Sequence, residues 1–146
     1  MATNVAAIED HAGKGARRAL GVALWVAQAL LALAFGMSGF MKTTQPLPEL
    51  AHRMAWVSAV PGPLVRFIGV AELAGALGLL LPSLTRVRPR LTPLAAAGLT
   101  TIMVLAGAFH LSRSETPFIK INFVLGALAA FVAWGRLRGA PIAPRP

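Results

Sequence analysis

The sequence predicts an all-α fold, an integral-membrane, up-down four-helix bundle with both termini cytoplasmic. Three observations carry this prediction. Hydrophobic residues make up 56% of the 146 positions and charged residues only 13%, against about a quarter charged in ordinary soluble domains. The excess is gathered into four apolar runs, each long enough to cross a hydrocarbon core of roughly 30 Å. The 14 Lys/Arg, set against 5 Asp/Glu, cluster at the ends of those runs, where cations set topology and meet anionic headgroups.

Taken in order, residues 1–19 are a polar, Gly/Ala-rich tail ending in Lys14, Arg17 and Arg18. Span one, about 20–41, contains no charged residue. A cleaved secretory signal would have an apolar core of only ~7–15 residues, so a retained span is expected. Residues 42–63 form a loop punctuated by Pro46, Pro48, Pro61 and Gly62. Within it, 49–59 is expected to make a short interfacial helix with Met54, Trp56 and Val57 at headgroup level. Span two, about 64–81, stops at Pro82. A tight basic link holding Arg86, Arg88 and Arg90 leads to span three, about 94–111. A polar link with Arg113 and Glu115 leads to span four, about 118–134, with Lys120 near its start and Arg136 and Arg138 past its end. The membrane domain is therefore 20–136, followed by a Pro-rich, non-helical tail over 137–146. One side of the four spans holds nine cations and the other five. The positive-inside rule then puts both termini in the cytoplasm, with the chain in the cell membrane.

The composition also excludes classes. With no cysteine there is no disulfide, no thiolate zinc site and no thiol relay of the kind membrane thiol–quinone reductases use. No basic stripe alternates with stacking aromatics, so no nucleic-acid partner is expected. His52, His110 and Glu72 are the one triad that could be weighed for a metal, since His11 is on the opposite side, and no metal is expected.

Glu72 is the residue that needs an explanation. It sits inside an apolar run, and a charge at the bilayer centre costs at least ~2.5–3.5 kcal/mol on insertion scales. Small residues mark helix contacts in lipid, and four small-residue faces can be drawn. They are Ala32, Gly36 and Gly39 in span one, and Gly69, Glu72, Gly75 or Ala76, and Leu79 in span two. Thr100, Met103, Gly107 and His110 line up in span three, and Asn122, Gly126, Ala130 and Ala133 in span four. Gly36, Gly107, Gly126 and Thr100 read as packing seams. At ~1.5 Å per residue, Glu72 lies ~12 Å below Leu64 and Asn122 ~6 Å into span four. Lys42, Arg66, His110 and Lys120 also fall in this outer half. A polar cavity open to the outer face, floored by Glu72, is expected. The acid's ion-pair partner is open between Arg66, Lys42 and His110.

Three segments resemble one family. Residues 35–42, Phe-Gly-Met-Ser-Gly-Phe-Met-Lys, look like a Phe-x-x-x-Gly-x-x-Lys ending of span one. Residues 69–75, Gly-Val-Ala-Glu-Leu-Ala-Gly, are similar to a Gly-x-x-Glu-x-x-Gly signature, and 103–110 resemble the end of span three. Together they resemble the DoxX-like family of small four-span membrane proteins, over about 20–136. The resemblance implies Lys42, Glu72 and His110 as family-typical positions. It also implies links to thiosulfate:quinone oxidoreductase, redox-defence assemblies and membrane chaperones, so fold follows from it more firmly than activity.

The leading expectation is a membrane component that binds a small lipophilic molecule, a quinone being one candidate, in the outer cavity. Glu72 and His110 are the candidate acid–base residues, and Lys42, Asn122 and Arg66 the candidates for holding the ligand. Burial favours a neutral carboxyl and a nearby cation an ionised one, so such a group can trade protons. Quinone reduction would require electrons from a membrane or peripheral partner subunit. Two alternatives compete: a non-enzymatic assembly subunit docking other helices, and a stand-alone acid–base enzyme (isomerase, cyclase or epoxide-opening) on a lipophilic substrate. Lipids are the certain partners, and self-association is open.

Overall fold

A computed structural model describes residues 2–145, with side chains from Gly13 onward; the side chain of His11 lies outside the described residues. Five α-helices follow in order: α1 Ala2–Thr44, α2 Leu47–Arg53, α3 Gly62–Thr85, α4 Leu91–Ser112 and α5 Thr116–Trp134. A 3₁₀ turn, Ala55–Ala59, follows α2, and a wide π-type turn, Gly135–Gly139, follows α5. Four helical stretches are long and apolar enough to cross a membrane: Gly13–Thr44, Gly62–Thr85, Leu91–Ser112 and Thr116–Gly139. Val22, Val26, Leu30, Leu33, Met37 and Phe40 form an exposed stripe along α1, an apolar face that water would not tolerate at this length and lipid would.

The interior is written at helical spacing. In α1 the buried positions from Gly13 onward are Leu24, Ala27, Gln28, Leu31, Ala32, Phe35, Gly39 and Lys42, and in α3 Val65, Gly69, Glu72, Gly75, Ala76, Leu79, Pro82 and Ser83. The apolar members join Ala96, Leu99 and Met103 of α4 and Ala129 and Val132 of α5 in one core. A smaller cluster of Leu50, Val57 and Val65 pins the α1–α3 connection over one end of the bundle. The most extensive packing is α1 on α3 and α4 on α5, with a lighter seam between α3 and α4.

Several boundaries differ from the sequence expectation. Residues 2–19 continue the first helix, because nothing before Gly13 forbids helix and Ala-rich sequence favours it. Span two does not stop at Pro82, which is buried inside α3. Proline removes a helical hydrogen bond, and lipid-embedded helices tolerate this where neighbours supply replacements. The carbonyl left without its donor is that of Gly78, and one residue further on Gln28 Nε2 of α1 donates to Leu79 O at 2.5 Å. The helix ends instead at Arg86, whose φ of 60° is left-handed. The 49–59 segment is two short pieces, broken at Met54 (φ −132°). The expected faces of α4 and α5 hold in part: Met103, His110, Asn122 and Gly126 are buried, whereas Thr100, Gly107 and Ala133 are half-buried, Ala130 is exposed, and Leu99 and Ala129 take interior positions. Thr100 spends its hydroxyl on Ala96 O of its own helix, at 2.9 Å, and a Cβ added to Gly107 would meet nothing within 4 Å. Neither is a packing seam.

Candidate functional site

Lys42 extends the buried stripe of α1 by one more helical step, and Glu72 occupies the matching level of α3. Two glycines let the helices come this close. A Cβ on Gly39 would lie 2.7 Å from Gly69 O, and one on Gly69 would lie 2.7 Å from Lys42 Cβ. Nothing larger than hydrogen fits at either position. The approach delivers Lys42 Nζ to 2.6 Å from Glu72 Oε1, both side chains being more than nine-tenths buried. The same ammonium donates to Ser38 Oγ at 2.9 Å and lies 5.6 Å from the Trp56 ring centroid, within cation–π range. The cation is fully occupied. The acid is not, because Glu72 Oε2 is buried with no hydrogen-bond partner.

The pair borders a cavity of about 550 Å³ between α1, α3, α4 and α5, roofed by Met54 and Trp56. Lys42, Glu72, His110 and Asn122 all line it. Asn122 Nδ2, buried on α5, is the second polar atom there without a partner. The cavity is mainly apolar, where the sequence suggested a polar one, because Phe35, Ile68, Met103 and Leu125 fill the wall between the polar side chains. Exposed Phe67 of α3 and Leu105 of α4 stand at its rim, on the lighter seam. Met54 and Trp56 thus close a cavity.

Arg66 is not part of the lining. Its guanidinium donates to Lys42 O at 2.5 Å and to Gln45 O at 2.7 Å, covering the free carbonyls at the C-terminus of α1. It therefore holds the backbone that carries Lys42. Lys120 and His52 are exposed. Among the described residues no group of three His, Cys, Asp or Glu could hold a metal ion.

His110 closes the loop end of the cavity. It stacks on Phe118 at 4.9 Å, touches Phe109 and Trp56 edge-on, and its Nδ1 lies 2.6 Å from Glu115 Oε2. Arg113 Nε donates to the other Glu115 oxygen at 2.8 Å. The hydrogen bond with His110, then that with Arg113, holds the Glu115 carboxyl below its ordinary value. A depressed carboxyl stabilises fully above its unfolded value and ceases to as the pH falls through its folded one. The Tm gap between the wild type and Glu115→Gln is therefore expected to shrink as the pH falls through and below the ordinary carboxylate range. Thermal scans across a pH series read this directly.

A second polar cluster, which the sequence reading did not single out, lies at the end of the bundle holding the termini. Arg136 Nε donates to Gln28 Oε1 at 2.6 Å, Gln28 Nε2 reaches Ser83 Oγ at 3.2 Å, and Ser83 and Thr92 hydroxyls are 2.8 Å apart. The signal was available in part: Gln28, Ser83 and Thr92 continue the buried stripes of their helices. Arg136 was hidden because cations just past a span end ordinarily face water.

The model of the DoxX-like family matches residues 26–132, well over half of the sequence. The chain belongs to the DoxX-like family. No curated protein and no solved structure matches it. The DoxX-like match spans Lys42, Glu72, His110 and Asn122, so the cavity lies wholly within the family's region.

Proposed function

We propose that this DoxX-like protein is a membrane component that binds a small lipophilic molecule with a polar head in the cavity beside Lys42 and Glu72. The observation behind this reading is the pair of unpartnered polar atoms, Glu72 Oε2 and Asn122 Nδ2, on the wall of an otherwise apolar cavity. Buried polar groups are normally satisfied, and these two are complementary. An ionised carboxylate oxygen accepts and an amide N–H donates, so the head should offer one O–H or N–H and one carbonyl-type oxygen. A quinol would supply the first and a quinone the second, which keeps that class as a candidate. A redox role would need a partner subunit to bring electrons. Entry from lipid past Phe67 and Leu105 suits an apolar body. In this reading the termini face the cytoplasm, as the excess of cations at their end favours.

The test is extraction and mass spectrometry of small molecules retained by the purified protein, followed by titration of the retained species. Asn122→Leu removes the donor while leaving the ion pair intact, and is expected to weaken binding about tenfold, one hydrogen bond's worth. Retention of every bound molecule by both Asn122→Leu and Glu72→Gln would end the proposal.

One observation favours a second reading, an assembly subunit that docks another membrane helix. Ala97, Gly98, Thr101 and Ala108 are exposed on α4, and a Cβ on Gly98 meets nothing within 4 Å. Gly98→Leu is expected to leave the isolated protein's Tm unchanged and to reduce recovery of any complex from native membranes. Gly75→Leu cannot serve here, because Gly75 packs on Leu99 inside the bundle.

A further inference from the structure

At the terminal end, α5 gives way to the wide turn Gly135–Gly139. π-type turns often mark functional positions, and this one carries Arg136 inward while Arg138 stays exposed. Arg136 is only 6% exposed. Its Nε bonds Gln28, its Nη1 donates to Ala140 O at 3.2 Å, and its guanidinium carbon lies 5.2 Å from the Trp25 ring centroid. All these partners are neutral, and Nη2 is buried with none. A buried cation without a counter-charge is costly. Lys42 has its Glu72. Arg136 has no carboxylate among the described side chains, since Glu49, Glu72 and Glu115 belong to other parts of the bundle.

Arg136 does border a second cavity, of about 900 Å³, together with Arg88 and Arg90 of the α3–α4 connection, and none of the described residues lining it is acidic. Its far wall is the C-terminal tail at Pro141 and Pro144, tied across the opening by the Arg145 N–H donating to Arg86 O at 3.1 Å. Leu91 and Leu137, also in the lining, are 45% and 61% exposed.

We propose that this cavity binds a phosphate group between Arg88, Arg90 and Arg136. Guanidinium groups match phosphate oxygens with paired N–H donors, and basic pockets at the ends of membrane helices are suited to anionic headgroups. The phosphate supplies the charge that Arg136 lacks, and the apolar flank of Leu91 and Leu137 has room for the chains of a phospholipid.

Thermal unfolding of the full chain in an uncharged detergent tests this with two probes, dioctanoyl phosphatidylglycerol and inorganic phosphate, each against chloride of matched ionic strength. A saturable rise in Tm is expected. Arg88→Gln/Arg90→Gln, at exposed positions, should weaken the apparent affinity roughly 30-fold, about 1 kcal/mol for each arginine lost. Arg138→Gln, a neighbouring cation outside the cavity, should leave it unchanged. Saturation by the lipid alone identifies a phospholipid headgroup, and saturation by inorganic phosphate identifies a soluble phosphate. The proposal is overturned if neither probe saturates or if chloride does as well. It also fails if the double variant binds like the wild type or if Arg138→Gln weakens binding equally.

Discussion

Replacing Lys42 by Met is expected to destabilise the bundle by about 3–5 kcal/mol, the loss seen when one partner of a buried ion pair is removed. Glu72 would remain more than nine-tenths buried with neither oxygen bonded to a cation. Trp56 would lose the charge above its ring. Unfolding in mild detergent under a denaturant gradient measures the loss. The informative partner is Lys42→Met/Glu72→Leu. Apolar replacements of both members of a buried pair are often neutral or stabilising, so the double variant should regain most of the lost stability. If it does so and no longer retains a ligand, the charges serve binding and not folding. If it stays as unstable as Lys42→Met, the pair is structural.

Gly39→Ala is expected to cost about 3 kcal/mol, the upper end of ordinary overpacking, although the added group is a single methyl. The reason is what that methyl meets. Gly69 O and Leu73 N are backbone atoms 2.7 Å and 2.9 Å away, and neither can turn aside as a side chain would. The α1 and α3 helices must part, and the Lys42–Glu72 contact must lengthen with them. Gly36→Ala is the control, because its Cβ would sit 3.9 Å from Ala76 Cβ in ordinary contact and should change Tm little. Equal effects from the two alanines would contradict the close approach described for Gly39.

The parts of the site that were legible in the sequence share one property, which is that they break a pattern. Glu72 interrupts an apolar run, and the glycines at 39, 69 and 75 are spaced along faces that also carry the polar residues. What sequence could not decide was partner choice. Arg66, Lys42 and His110 are all cationic or titratable groups at comparable depth, and only the crossing of α1 and α3 at Gly39 and Gly69 selects Lys42. Arg66 was drawn away by the carbonyls of Lys42 and Gln45, and His110 by Glu115 five residues along. On α4 and α5 the polar or bulky members of the expected faces, Met103, His110 and Asn122, are buried, whereas Leu99 and Ala129 were not legible because nearly every position there is apolar or small and periodicity carries little contrast. Pro82 looks like an end in sequence because proline removes a helical hydrogen bond, whereas packed membrane helices carry such a break in their interior.

The ion pair also bears on how the protein is made. Lys42 and Glu72 belong to consecutive membrane helices, and α1 with α3 forms one of the two most extensive helix contacts in the molecule. When α3 emerges, its acid already has a cation waiting at the end of α1, so the charge-balanced pair can form before α4 exists. Chain order is therefore part of the design. A circular permutant that separates α1 from α3 would have to insert a carboxylate with no partner yet in place.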